Sequence, residues 1–242
     1  MEIQKNQIIG ELVAQDYRAA SVFKKHNIDF CCQGNRTINQ ACEKESVDSD
    51  LVVSDLNNLV QSTAGDTTDY QSWPLDLLAD YIQKKHHKYV EEKILEIKPY
   101  LSKICSVHGN NHPELHKINE HFVAAAGELA QHMKKEELIL FPYVRKMVKA
   151  FEEKADVNAP QFGTIQNPIH RMMDEHTTEG ERFREIESLS NNYTPPQDAC
   201  NTYKVTFALL KEFEQDLHLH IHLENNILFP KAIELENKLK SI

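Results

Sequence analysis

Glycine and long apolar runs are both scarce in this sequence. Only seven glycines and nine prolines occur in 242 residues, and few segments alternate β-branched with polar residues, so an all-α fold is predicted. The longest apolar runs are about as short as Val205–Leu210, far below the ~20 residues that span a bilayer. The start of the chain lacks the apolar region of a signal peptide, so we expect a cytoplasmic protein with no membrane partner.

Cysteine is rare and odd in number, and positive charge is in deficit. Five cysteines without an export signal do not form a disulfide framework. The formal net charge of −10 argues against nucleic acid as a partner, because binding DNA or RNA requires Lys and Arg to neutralise phosphates. The 40% of hydrophobic residues is sufficient for the core of a soluble globular protein.

The sequence contains instead one phrase in two copies, at residues 132–142 and 220–230. Each copy has a His, a Glu four residues later, and then Ile-Leu-Phe-Pro. On an α-helix this spacing corresponds to roughly 40° of rotation and about 6 Å of rise, so the His and the Glu share one face. The two pairs are His132 with Glu136 and His220 with Glu224.

The face that carries each pair is otherwise apolar. Glu136 lies on the same helical stripe as Leu129 and Leu140, and Glu224 lies on an equivalent stripe in the second copy. A buried, ionised carboxylate must be paired, protonated or bound to a metal. No Lys or Arg recurs on either stripe at matching spacing, whereas a His does so twice. The pattern therefore predicts that metal ions hold both carboxylates.

The two phrases belong to a predicted antiparallel up-down four-helix bundle, because prolines behind capping residues mark four helix starts and the loops are short. Pro142 and Pro230 fall inside helical pattern, so kinks are expected there. Short helical patterns upstream predict a small helical N-terminal domain. The predicted helices cover roughly residues 74–107, 113–153, 168–190 and 195–240. The predicted division is an N-terminal domain at 1–62, a polar linker at 63–72 and the bundle at 73–242.

The bundle also shows an internal repeat. His132 and His220 are 88 residues apart, and His87 and His176 are 89 apart, as though one pair of helices were used twice. Four His and two Glu would then surround one point of the interior. Helical periodicity alone accommodates His86 at least as well as His87, so both alternatives stay open at this level.

Other candidates surround these residues in the sequence. His218 and His222 lie on faces roughly 160–200° from His220 and are interpreted as solvent-facing. Glu128 and Glu175 adjoin the predicted ligands and are candidates for orienting imidazoles or relaying protons, with surface carboxylates as the alternative.

Two adjacent cysteines, Cys31 and Cys32, occur in a turn of the N-terminal segment. In this position they are a candidate redox or metal-handling pair, because the thiolate is the reactive form and an exposed turn admits partners. Two small buried residues are the alternative interpretation.

The ligand set narrows the choice of metal. A structural zinc site takes four ligands and usually some thiolate. Six imidazole and carboxylate ligands from four helices, with two Glu able to bridge, favour a dinuclear iron or manganese centre. Ferritin-like bundles use Glu-x-x-His in the opposite order, so this design is different.

The two phrases resemble the haemerythrin-like domain. The whole chain resembles the iron–sulfur cluster repair di-iron proteins, also called repair-of-iron-centres proteins. Gln33 departs from the Gly that usually follows the cysteine pair in that family. The resemblance rests on residues 29–34, Val107-His108-Gly109, His112-Pro113, Asp174-Glu175-His176, Glu179-Gly180, residues 193–196, Ala199-Cys200 and residues 223–230.

The resemblance implies two iron ions, rather than manganese, joined by an oxo or hydroxo bridge. It implies a cytoplasmic homodimer that repairs iron–sulfur proteins damaged by oxidative and nitrosative stress. The resemblance does not settle the mechanism, and supply of iron from the centre is the mechanism predicted here. A di-iron nitric oxide reductase and a haemerythrin-like protein that binds or senses O2 or nitric oxide stay open as alternatives, so enzymatic turnover is undecided. The implied metal ligands, which include His87 instead of His86, are His87, His132, Glu136, His176, His220 and Glu224.

Overall fold

The computed structural model describes residues 3–61, 68–158 and 160–241. Within these ranges every regular element is helical, and the β contact is an isolated bridge between Ile8 and Thr37. The predicted all-α fold class is confirmed. In the same ranges, no helix has the length and hydrophobicity that crossing a membrane would require.

Four short helices form the N-terminal part of the chain. The predicted linker, residues 63–72, lies partly outside the described residues. Its described end forms a 3-10 turn, Tyr70–Ser72, and Tyr70 packs against the rings of Trp73 and Tyr81. The four N-terminal helices are α1 (Ile9–Gln15), α2 (Ala19–Lys25), α3 (Ile38–Glu45) and α4 (Ser49–Gln61).

The rest of the described chain forms four long helical rods. Numbered in chain order, the second rod contacts the first and the third, and the fourth rod also contacts the first and the third. Each rod therefore lies beside the one that follows it, as in an up-down bundle. The first rod contains α5 (Leu75–Tyr81), a π turn (Ile82–His87) and α6 (Lys88–His108). The second contains α7 (Glu114–Lys135), a π turn (Glu136–Leu140) and α8 (Phe141–Glu153). The third is α9 (Gln166–Leu189), and the fourth contains α10 (Asn201–Leu223), a π turn (Glu224–Leu228) and α11 (Phe229–Lys240).

The fourth rod begins later than predicted. Its first residue is Asn201, whereas Pro195 belongs to the preceding connection. That connection starts with three consecutive residues of positive φ, at 191–193. The predicted start at 195 is wrong because proline marks turns as readily as it marks the first turn of a helix.

Two of the prolines inside the rods, Pro142 and Pro230, are accommodated by π turns. Pro142 and Pro230 each stand at the second position of an α-helix that directly follows a five-residue π turn. A proline lacks the amide hydrogen and its ring crowds the preceding turn, so a local widening of the helix relieves both problems. π turns occur frequently at functional sites. Here they begin or end at His87, Glu136 and Glu224.

The N-terminal helices pack onto the fourth rod. Their apolar side chains join the bundle in one continuous buried cluster, and α1 contacts the π turn at 224–228. Asn226 of this turn donates to the carbonyl of Phe30 at 3.1 Å. Gly34 lies so close that an added Cβ would stand 2.5 Å from the Phe30 carbonyl oxygen and 2.7 Å from the Asn226 side-chain oxygen. The absence of a side chain at Gly34 is thus a packing requirement.

We expect Gly34→Ala to lower the free energy of unfolding by about 1–3 kcal/mol, because the methyl group overpacks this contact. Gly127→Ala is the matched control, since Gly127 is exposed within α7 and a Cβ there meets no atom within 4 Å. The control should gain about 0.5–1 kcal/mol from helix propensity. Urea denaturation of both variants measures the difference, and equal stabilities would contradict this packing.

Candidate metal centre

Six buried side chains converge in the interior of the bundle. His87 comes from the first rod and His176 from the third, while the second and fourth rods each supply a His and a Glu. Their potential ligand atoms form two groups, and within each group all the atoms lie within 4.8 Å of one another. The groups are His87, Glu136, His220 and Glu224, and His132, Glu136, His176 and Glu224. Both carboxylates are therefore common to two neighbouring positions.

Each carboxylate divides its two oxygens between these positions. Glu136 directs Oε2 toward Nε2 of His87 and Oε1 toward Nε2 of His132, both at 3.4 Å. Glu224 directs Oε1 toward Nε2 of His220 at 3.1 Å and Oε2 toward Nε2 of His176 at 3.2 Å. This is the arrangement that carboxylates bridging two cations require.

The nitrogen and oxygen atoms that face the centre are better suited to binding metal ions than to hydrogen bonding with one another. Among the described residues, both oxygens of Glu136, Nε2 of His87 and one oxygen of Glu224 lack a hydrogen-bond partner, although all are buried. Nε2 of His132 lies 2.9 Å from Nε2 of His176, so two ring nitrogens compete for one hydrogen. Unpaired buried polar groups cost roughly 1–3 kcal/mol each, and more when charged. Cations that accept these lone pairs would satisfy all of them.

Three of the imidazoles, those of His87, His132 and His176, are oriented through their other ring nitrogen. Nδ1 of His87 lies 2.9 Å from Glu137, and Nδ1 of His176 lies 2.9 Å from Asn225. Such outer hydrogen bonds hold Nε2 toward a metal. Sequence reasoning missed Glu137 and Asn225, but a signal exists: each directly follows the Glu of one repeated phrase, so they are counterparts in the repeat.

Of the two carboxylates predicted beside the ligands, one contacts an imidazole. Glu175 lies 2.8 Å from Nδ1 of His132, and this hydrogen bond, helped by Lys135, lowers the pKa of Glu175 to about 2 despite its partial burial. Glu128 is half exposed and forms an ion pair with Arg182 at 2.9 Å. Glu128 lines a cavity and does not contact an imidazole ring of the centre.

That cavity, of about 230 Å³, opens beside His132 and His176. Glu128, Glu175 and the buried Glu179 supply its carboxylates. Burial raises the pKa of Glu179 to about 7, against the opposing effect of Arg182. Sequence reasoning did not single out Glu179 for any role. The cavity gives the centre an approach from one side, which Lys135 and Arg171 line together with these carboxylates.

The histidines near the site differ in their surroundings. His86 is fully buried but lies outside both groups, with Nδ1 3.0 Å from Asp216. His222 is also buried and accepts a hydrogen bond from Asn226 at 2.9 Å, and His218 is half-buried against Phe30. The prediction that His218 and His222 face solvent is wrong, because the N-terminal segment covers that side of α10.

The cysteine pair lies against the helix that carries His176. The Cys32 thiol donates to the His176 carbonyl at 3.2 Å, and the two sulfur atoms are 3.7 Å apart. Asp29 accepts hydrogen bonds from the backbone amides of Cys31 and Cys32 and completes a group that could hold a cation. The hydrogen bond with Cys32, together with burial, raises the pKa of the Cys31 thiol well above its usual value. At neutral pH Cys31 is therefore protonated in this conformation.

Two family models match the chain in successive stretches. Residues 78–232 match the Hemerythrin HHE cation binding domain, and residues 5–60 match ScdA_N, described as a domain of unknown function (DUF542). The first match spans all six converging side chains. The fold and the site thus define a haemerythrin-like helical bundle with a cation-binding centre.

Individual relatives match over almost the whole length. The iron-sulfur cluster repair protein ScdA of Staphylococcus haemolyticus is 31% identical over 230 residues, which cover 95% of this chain and 99% of that protein. The iron-sulfur cluster repair protein YtfE of Yersinia pseudotuberculosis is 34% identical over 232 residues, covering 96% and 99%. YtfE of Yersinia pestis shows the same identity and coverage. The chain belongs to the family of the ScdA and YtfE proteins, as its motifs predict.

Metal binding by this centre should release protons. Burial favours neutral imidazole, but Glu136 and Glu175 outweigh it and raise the pKa of His132 to about 10. Burial likewise lowers the pKa of His87, but Glu136, Glu224 and Glu137 together outweigh burial and raise it. Both rings therefore retain a proton to higher pH than an unperturbed imidazole does, and a metal binds only the neutral form.

We therefore expect the affinity of the metal-free protein for Co2+ to increase between pH 6 and pH 8, by roughly tenfold per pH unit for each displaced proton. Competition with a chelator of known pH dependence measures the affinity, and a pH indicator counts the released protons. An affinity independent of pH across this interval would contradict the raised pKa values of His132 and His87.

Proposed function

We propose that the six converging side chains hold two iron ions and that the chain uses this centre to repair damaged iron–sulfur clusters. The observation that carries the proposal is the sharing of Glu136 and Glu224 between two positions, each of which has two imidazoles of its own. The relatives described above are named iron-sulfur cluster repair proteins, which favours iron over manganese. A structural zinc site would instead use four ligands in one tetrahedron.

Each position has four protein donors: two imidazole nitrogens and one oxygen from each carboxylate. Bound iron ions would supply redox chemistry and coordination positions open to small ligands. The chain's own residues orient the imidazoles, exclude bulk water from the centre and line one approach to it. The carboxylates of that approach, Glu128, Glu175 and Glu179, stand beside Lys135 and Arg171, and the cavity of about 230 Å³ has room for an iron ion that enters or leaves.

The N-terminal segment completes the proposal. We assign residues 1–62 to a small domain that covers the fourth rod, residues 63–72 to a linker and residues 73–242 to the bundle. The covering domain brings Cys31 and Cys32 to the backbone of His176, where they can act on iron in transit. A cytoplasmic location and a homodimer belong to the same proposal.

A second candidate function uses the same centre. A nitric oxide reductase, or a protein that binds O2 or nitric oxide, would also need two adjacent metals with open positions. The 230 Å³ cavity beside His132 and His176 would admit a diatomic gas as well as an ion. Repeated turnover distinguishes a reductase from a donor of iron, because the donor acts once per loading.

The bridging roles predict that Glu136→Leu and Glu224→Leu each lower bound iron from two ions per chain to one or none, with helicity unchanged. Glu214→Leu is the matched control, since Glu214 is also a buried carboxylate of α10 but pairs with Lys24 at 2.5 Å. Iron content is measured by mass spectrometry and helicity by circular dichroism. Two ions per chain in both test variants would refute the bridging roles.

The repair role predicts direct transfer of iron. Protein loaded with 57Fe is incubated with a [4Fe–4S] enzyme damaged by nitric oxide, and Mössbauer spectra of the recovered client should contain the isotope as its activity returns. The Cys31→Ala/Cys32→Ala double variant should retain iron, because neither thiol lies in the two groups of the centre, but transfer it more slowly. Repeated conversion of nitric oxide to nitrous oxide, without transfer of 57Fe, would favour the reductase instead.

A further inference from the structure

One imidazole of the centre differs from the other three in its outer hydrogen bond. His87, His132 and His176 each engage a polar side chain through Nδ1. Within the described part of the chain, Nδ1 of His220 has no hydrogen-bond partner, although the ring is buried. Nε2 of His220 faces Glu224 and the metal position, so when this nitrogen binds a metal the hydrogen of the neutral ring lies on Nδ1. A metal-ligating imidazole almost always donates this hydrogen to an acceptor.

An unused acceptor lies next to this donor. The ring of His86 stacks on that of His220, with centroids 5.6 Å apart and an interplanar angle of 11°. Nδ1 of His86 lies 3.0 Å from Asp216, whereas its Nε2 is buried and has no partner among the residues that the structure describes. Because the carboxylate accepts from Nδ1, Nε2 of the neutral ring is left as an acceptor.

The internal repeat relates the His86 and His220 rings to a hydrogen bond that the structure contains, the one between Glu175 and His132. In one half of the centre, His132 is held by Glu175, the residue that precedes His176. The counterpart of Glu175 in the other half is His86, and the counterpart of His132 is His220. The outer bonds of Glu137 and Asn225 obey the same relation. The repeat therefore assigns to His86 the task that Glu175 performs.

We propose that His86, fixed by Asp216, is the positioning residue of His220, and that its Nε2 accepts the hydrogen of His220 Nδ1 through one buried water. Two stacked rings cannot meet edge to edge, whereas a water that donates to one ring nitrogen and accepts from the other satisfies both. The inference rests on the proposed metal centre. The water-mediated hydrogen bond to His86 would hold Nε2 of His220 toward the metal position that His220 shares with His87, and would strengthen metal binding at that position only.

The test measures Co2+ binding to metal-free protein in competition with a chelator. His86→Phe keeps the ring stacking but removes the acceptor, and it should weaken one of the two stepwise affinities by about 10–100-fold without changing the other. His86→Gln restores an acceptor and should recover most of the loss. Asp216→Asn, which leaves His86 in place, should show a smaller effect in the same direction. His112→Phe is the control, because it breaks a His–Asp pair at the far end of the bundle.

A spectroscopic readout separates positioning from a general loss of stability. Proton NMR of the Co2+-loaded protein in water should show one shifted exchangeable resonance for each coordinated imidazole, four in all. In His86→Phe one of the four should broaden through exchange with solvent, while His112→Phe retains all four.

Two results would overturn the inference. One is a folded His86→Phe protein with both Co2+ affinities and all four resonances unchanged. The other is an equal loss in His86→Phe and His86→Gln, which would show that packing alone matters at this position. Fewer than two Co2+ ions per chain in the wild-type protein would overturn the proposed centre first, and the inference with it.

Discussion

The structure depends on two carboxylates that are surrounded by imidazoles in an apolar interior. A buried carboxylate without compensation is far too costly to keep, so Glu136 and Glu224 require four rings at close range. Those rings come from four separate rods. The rods must therefore be aligned along their axes and rotated to one relative setting, and the neighbouring helices, turns and outer hydrogen bonds maintain that setting.

The repeat explains how one short phrase builds such a centre. Each copy contributes a His and a Glu from one turn of helix, a following residue that orients a ring on another rod, and a proline that favours a π turn. The outer partners are not identical in the two copies: Glu137 carries charge and Asn225 does not. Near-symmetric positions can in this way differ in ligand basicity, because a carboxylate raises it more than an amide does.

Much of this arrangement could be predicted from the sequence, and the exceptions have physical causes. Helical period and duplication predicted the four rods and the stripe that carries Glu136, because both signals can be read from residue spacing alone. Periodicity could not separate His86 from His87, since the π turn Ile82–His87 joins α5 to α6 and shifts the helical register of the residues that face the core. The burial of His222 was missed because its cover comes from a segment almost 200 residues earlier in the chain, and long-range packing leaves no periodic signal.

Asn225 has a consequence that extends beyond the orientation of one ring. Its oxygen lies 2.9 Å from Nδ1 of His176, and its nitrogen donates to the Cys31 carbonyl at 3.0 Å. A single amide thus joins the inner coordination shell to the cysteine loop. Thermodynamic linkage makes such coupling reciprocal. If a filled centre stabilises docking of the cysteine loop, the docked loop stabilises metal binding by the same free energy. Under the proposed function, undocking of the N-terminal segment would then favour release of iron.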